Sequence, residues 1–167
     1  MLPQPTKNKF HLQVDTKLGR LNDVLSWFEG LISPYLPQKT GWQCEVALAE
    51  AFTNAVRHAH QDLPPSTPID LEVELFAKFL EIRVWDCGRP FDLSAELLAR
   101  EHNLESLEEE GGRGLQFIKN LADELQYFNS LDPVKASSSK TNNERALNGH
   151  NHNCLVIRKK YPQLNEI

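Results

Sequence analysis

An α+β two-layer sandwich, with helices covering one face of a mostly antiparallel sheet, is the fold that three features of this sequence predict. Two adjacent segments alternate apolar and polar residues at the period of a strand: Ile69, Leu71, Val73 and Leu75 against Asp70, Glu72 and Glu74, then Leu80, Ile82 and Val84 against Glu81, Arg83 and Trp85. Two long segments before them repeat apolar residues at helical spacing. The resulting order is strand, helix, helix, strand, strand, loop, helix, strand, strand, which lays helices over one face of a sheet.

Each element has its own signal. Phe10 to Val14 alternates as an opening strand, and Leu18, Leu21, Val24, Leu25, Phe28, Leu31 and Ile32 then mark a first helix that Pro34 and Pro37 stop. A second helix runs from about Trp42 to His60, closed off by the prolines at 64, 65 and 68. The two half-buried strands that follow join in a hairpin near Ala77 and Lys78. After Asp86 comes a long connection, Gly88 to Gly111, with a short helical stretch around Ser94 to Arg100 and the acidic run Glu108 to Glu110; so long a connection is usually functional or mobile. A third helix begins at Gly112 or Gly114 and carries Leu115, Ile118, Leu121, Ala122 and Leu125 on one face. Two last strands are expected at Leu125 to Phe128 and Cys154 to Lys160, and the polar stretch Ser130 to Asn153 reads as a disordered excursion between them.

Composition sets limits. The 167 residues suffice for one domain with a sizeable core and are too few for two ordinary ones. Lys and Arg number 18 against 23 Asp and Glu, a net charge of −5, so no basic surface is advertised for a phosphate backbone and no direct nucleic-acid partner is expected. No apolar run approaches the roughly 20 residues of a membrane span, and Met1 to Phe10 carries no hydrophobic signal core. A cytoplasmic protein without membrane contact is expected. Cys44, Cys87 and Cys154 lie too far apart in sequence for a paired metal or redox motif, and His58 and His60, two apart on a helix, point away from each other.

Three places carry chemistry. On the second helix, Leu48, Phe52, Ala55 and Ala59 share one face while Glu50, Asn54, Arg57 and His58 share the other, with Glu50 and Asn54 one turn apart and able to aim at one ligand. An ordinary solvated helix face has the same pattern, although asparagine gains little in mid-helix unless its amide binds something. Asp86 follows Leu80, Ile82 and Val84 onto the inner face, where a carboxylate is costly without donors; a turn aspartate bonding its own backbone before Gly88 is the plainer reading. Gly111, Gly112 and Gly114 open the third helix, where backbone N–H groups can approach an anion, or where glycine merely supplies a hinge.

Together and in this order, Glu50-Ala51-Phe52-Thr53-Asn54-Ala55-Val56-Arg57-His58-Ala59, Asp86-Cys87-Gly88-Arg89-Pro90-Phe91-Asp92 and Gly111-Gly112-Arg113-Gly114-Leu115 resemble the three nucleotide motifs of the GHKL ATPase superfamily. The nearest likeness is to bacterial anti-sigma-factor serine/threonine kinases, and it covers roughly Phe10 to Phe128 plus the last strand. The resemblance implies a Bergerat-type ATP-binding fold across 1–167, with ATP and Mg²⁺ as ligands. It implies that Asn54 holds Mg²⁺, that Glu50 is the general base, that Asp86 accepts the adenine amino group and that Gly88 lets the base approach. Gly111, Gly112, Arg113, Gly114, Leu115 and His58 complete the nucleotide positions, and Asp92 to Glu110 forms a lid. It further implies a sigma factor and a small antagonist protein as partners, and a homodimer. A non-catalytic, ATP-binding adaptor that switches partners is the alternative function.

The sequence also departs from the superfamily. Arg89-Pro90-Phe91 stands where a second glycine would follow Asp86, which is similar to the anti-sigma kinases and unlike histidine kinases. No helix pair bearing a phosphoacceptor histidine is expected within these 167 residues, and His58 lies inside the asparagine motif.

Overall fold

Alternation along the strands decides which side of the sheet the helices cover. The structure, a computed structural model, describes residues 8–102, 113–129 and 153–161. Its strands are β1 (Asn8–Asp15), β2 (Pro68–Leu75), β3 (Phe79–Asp86), β4 (Glu124–Phe128) and β5 (Asn153–Lys160). They form one sheet in the order β1-β2-β3-β5-β4, and every ladder is antiparallel. β5 thus returns between β3 and β4, and its register sets Asn153 opposite Asp86 and Leu155 opposite Val84. The β2–β3 hairpin closes with Phe76 N–H donating to the Phe79 carbonyl, and the two rings stack at 4.4 Å.

The helices are α1 (Leu21–Ile32), entered through a 3₁₀ turn at Leu18–Arg20, then α2 (Gln38–Asn54), α3 (Leu93–His102) and α4 (Gly114–Leu121). In α1, Val24, Phe28 and Ile32 recur one turn apart and are buried. α2 starts earlier than the apolar spacing suggests, because its first turn is the polar Gln38 to Gly41 directly after an extended Pro37. Leu48, Ala51 and Phe52 from α2 join Ile69, Leu71, Val73, Ile82, Val84 and Ile157 from the sheet in one apolar core. The third helix starts at the second of its two expected positions, Gly114. Gly111, Gly112, Glu108 to Glu110 and residues 130–152 lie outside the described residues, while Asn153 opens β5.

Strands β2 and β3 differ from the half-buried reading: both of their faces are buried. On the face away from the core the polar side chains neutralise one another. Arg83 bonds Glu72 at 3.4 Å and Glu74 at 3.0 Å and also pairs with Glu81, while Arg158 reaches Glu81 at 2.5 Å and Glu124 at 3.0 Å. Trp85, Cys154 and Val156 with Phe128 make a small apolar cluster beside this lattice. Burial of charge is tolerated because each charge meets its opposite.

Leu48 is fully buried where α2 crosses the sheet. Leu48→Ala is expected to lower unfolding stability by about 2–5 kcal/mol, from lost transfer energy and the cavity left behind. Urea denaturation measures it, and a change below the experimental error would remove α2 from the core.

Candidate functional site

The C-terminal end of α2 does not stop at Asn54 but widens into a π segment, Ala55–Ala59, closed by His60 N–H donating to the Ala55 carbonyl at 2.9 Å. Single π turns inside α-helices recur at functional sites. Here Ala51, Asn54, Ala55, His58 and Ala59 all reach a cavity of about 640 Å³, whose other walls are the turn after β3 and the side chains of Val84, Leu115, Tyr127 and Leu155. Ala55 and Ala59, assigned to the core face by simple helical spacing, therefore also line the cavity.

Asp86 ends β3 on the inner face, as the alternation requires, and it is buried. Its Oδ1 accepts from Gly88 N–H at 2.8 Å and from Asn153 Nδ2 at 2.9 Å, and the same Nδ2 donates to the Gly88 carbonyl at 2.8 Å. Both atoms facing the Asn153 amide are acceptors, so its orientation is fixed with nitrogen toward them. The two readings of Asp86 are both realised: it bonds the backbone of its own turn, and it is an inward carboxylate held by a donor from β5. Asp86 Oδ2 takes no hydrogen bond among the described residues, and Asp86 lines the cavity. Asp86 thus brings to the cavity wall a carboxylate with one oxygen unbonded among the described residues.

Gly88 is where only glycine fits, since a Cβ there would lie 2.3 Å from the carbonyl oxygen of Ala59. The turn after β3 consequently rests directly on the π segment. At Gly114 a Cβ would lie 2.8 Å from Glu50 Oε2 and 3.0 Å from both amide atoms of Asn54. The start of α4 is therefore pressed against the two polar side chains that share the helix face. Of the residues singled out from sequence, Asn54, His58, Asp86, Gly88 and Leu115 line the cavity. Among the described residues, Glu50, Arg113 and Gly114 stand outside that lining, with Glu50 beside Gly114 and Arg113 exposed just ahead of α4. Gly111 and Gly112 are not among the described residues.

Asn153 and Tyr127 at the site escaped the sequence reading, and Phe91 enters it only as part of the second motif. Asn153 was hidden at the edge of the polar stretch; its signal is the strand register, which sets it opposite Asp86. Phe91 and Tyr127 pack at 4.3 Å with their rings tilted by 38°, and both line the cavity. Burial, reinforced by Asp86, pushes the Tyr127 hydroxyl well above its usual range and keeps it neutral. Burial likewise raises the Cys87 thiol, with Asp86 and Asp70 adding to the effect, so Cys87 is no activated nucleophile.

An apolar slot, an inward aspartate followed by glycine, and an asparagine and glutamate one turn apart under a glycine-opened helix define a class. Residues 14–135 match the histidine kinase-like ATPase domain, and the chain belongs to that family. Among individual proteins it is similar to the serine-protein kinase RsbW of Staphylococcus epidermidis, 30% identical over 112 residues that make up 60% of this chain and 70% of that protein. RsbW of Oceanobacillus iheyensis is 37% identical over 91 residues, 51% of this chain and 56% of its own. RsbW of Bacillus subtilis is 30% identical over 106 residues, 60% and 65% of the two chains. The family resemblance drawn from the three motifs holds.

Gly88→Ala forces a methyl group into the Ala59 carbonyl. Relief requires backbone movement, so a loss of about 1–3 kcal/mol or more is expected from overpacking. Chemical denaturation checks this; a variant as stable as the parent would show that the turn does not rest on the π segment.

Proposed function

We propose that this protein is a Mg·ATP-dependent serine/threonine kinase that phosphorylates a small antagonist protein and, in its other state, sequesters a sigma factor. One observation carries the reading: a single cavity is lined both by Asp86, whose Oδ2 takes no hydrogen bond among the described residues, and by Asn54, whose amide lies against the start of α4. This fits an adenine nucleotide, which has an amino donor on a flat apolar base and anions at its far end.

In that reading Asp86 accepts the amino group, Gly88 admits the base against the turn, and Ala55, Val84 and Leu155 sandwich its apolar faces. Asn54 supplies an amide oxygen to Mg²⁺. Among the described residues no group of three or more His, Cys, Asp or Glu could hold a metal. A magnesium ion held mainly by phosphates and water needs only one or two protein oxygens. Gly112, Gly114 and Leu115, with Gly111 and Arg113, meet the phosphates at the α4 N-terminus, where N–H groups and the helix dipole favour anions. His58 flanks the nucleotide from the π segment, and 92–110 serves as its lid. Bound Mg·ATP supplies an activated γ-phosphoryl group. Glu50, one turn from Asn54, removes the proton of the attacking serine or threonine hydroxyl.

The similarity to serine-protein kinases supports transfer. One observation favours the alternative, an ATP-binding adaptor without chemistry: Glu50 stands outside the cavity lining. We further assign the protein to the cytoplasm, as a homodimer with no direct contact to nucleic acid or membrane. No helix of the described residues is long and apolar enough to cross a membrane.

Glu50→Ala is expected to lower phosphotransfer at least about 100-fold, the usual scale of a general base, with ADP affinity little changed. Transfer of labelled γ-phosphate to the antagonist captured from the host measures it; undiminished transfer would dismiss Glu50 as the base, and no transfer by the parent protein to any captured partner would favour the adaptor. Asp86→Asn is expected to weaken ADP by about tenfold or more, the worth of a charged hydrogen bond. Calorimetric titration reads this, and an unchanged affinity would take Asp86 out of the nucleotide site.

A further inference from the structure

His60 has no part in the reading above, yet its imidazole is buried at the point where four segments meet. Its Nε2 lies 2.8 Å from the backbone nitrogen of Cys87. A backbone N–H can only donate, so Nε2 is the acceptor and carries no proton. The neutral ring then bears its hydrogen on Nδ1, which lies 2.7 Å from Thr16 Oγ1. That hydroxyl accepts from the ring and donates its own hydrogen to the Thr67 carbonyl at 2.7 Å. Every donor and acceptor role along this line is fixed by the carbonyl at one end and the amide at the other.

Cys87 sits between Asp86 and Gly88, and Gly88 N–H is itself a ligand of Asp86 Oδ1. The imidazole therefore grips the turn on one side while Asn153 grips it on the other. A second proton on Nε2 would set a donor against the Cys87 N–H and break the grip. We propose that His60 is a positioning residue for nucleotide binding: as a neutral ring protonated on Nδ1 it holds the Asp86–Gly88 turn in its binding shape, and protonation releases that turn. The inference rests on the nucleotide reading of the cavity.

The surroundings of the ring support a neutral state. From β3, Asp86 favours the protonated ring, but burial outweighs it and lowers the histidine below its ordinary range. At the end of β1 the flanking Asp15 and Lys17 are paired with each other at 2.5 Å, and Asp15 also binds Arg20. The start of β2 offers the Thr67 carbonyl and, further along, Asp70, which is held by His11 and Gln13; on the ring's own segment His58 and Asp62 line the cavity. The Cys87 thiol is held neutral by burial. Because the folded protein binds this proton less readily than the unfolded chain, the contribution of His60 is complete above the ordinary histidine range and is lost as pH falls below it.

The test compares ADP affinity of the parent protein and of His60→Gln between pH 7.5 and 5.5, together with imidazole ¹⁵N NMR of the nucleotide-free parent. Glutamine can still accept from Cys87 but cannot titrate, and comparing the two proteins cancels protonation of the ADP phosphate itself. The expected result is a parent whose ADP affinity falls further than the variant's as pH drops and the neutral fraction shrinks, the gap widening toward the acid end of the range. NMR should show Nε2 unprotonated and Nδ1 carrying the proton. Equal pH dependence in the two proteins, or a proton on Nε2 at pH 7.5, would overturn the proposal while leaving nucleotide binding intact. Failure of the parent to bind ADP at pH 7.5 would instead overturn the nucleotide reading and this proposal with it. His60→Leu, which has no acceptor, should bind ADP weakly at every pH while staying folded by circular dichroism; a folded leucine variant with parental affinity would also refute the role.

Discussion

A buried carboxylate at the end of β3 is the constraint around which the rest of this structure is arranged. Asp86 must face inward because β3 alternates, and on that face it has to be met by donors or expel itself. Two donors come from opposite directions, the N–H of Gly88 from its own turn and the Asn153 amide from β5. Satisfying Oδ1 in this way ties β3 to β5 at the very point where the two strands open. The other oxygen takes no hydrogen bond among the described residues and Asp86 lines the cavity, so the buried carboxylate keeps an acceptor able to recognise a donor.

The same logic explains the glycine two residues later. A turn that folds back to place its amide on Asp86 comes so close to the π segment that a Cβ would overlap the Ala59 carbonyl. The π segment carries Ala59 and His58 on the cavity side, and His60 at its end lies beneath the turn. One continuous helical stretch, from Gln38 through Ala59, thus carries Glu50 and Asn54 near α4 and the floor of the apolar slot further on. On the outer face of the sheet Arg83, Arg158 and Lys9 share the carboxylates of Glu72, Glu74, Glu81 and Glu124.

Much of this was legible from the residues. Strict alternation in 69–75 and 80–86 located two strands and the inward aspartate, and period-four spacing in the helices found the core faces of α1 and α2. What was not legible has physical reasons. The polar first turn of α2 has no periodic signal, since nothing in it is buried except Gly41. A π turn depends on what the helix packs against, so the segment Ala55–Ala59 cannot be read from spacing. Both-sided burial of β2 and β3 looked like half-burial because charged residues there meet across strands, a pairing that sequence order does not disclose. Asn153 and His60 act through partners 67 and 27 residues away in the chain, and only the fold brings those together.

The central claim is that one cavity binds an adenine nucleotide base-first against Asp86 with its phosphates toward Asn54 and the start of α4. A crystal structure with Mg²⁺ and a non-hydrolysable ATP analogue tests it most directly. The exocyclic amino group is expected within hydrogen-bond distance of Asp86 Oδ2 and the metal on the Asn54 amide oxygen. A nucleotide bound elsewhere, or bound here with its base away from Asp86, would contradict it.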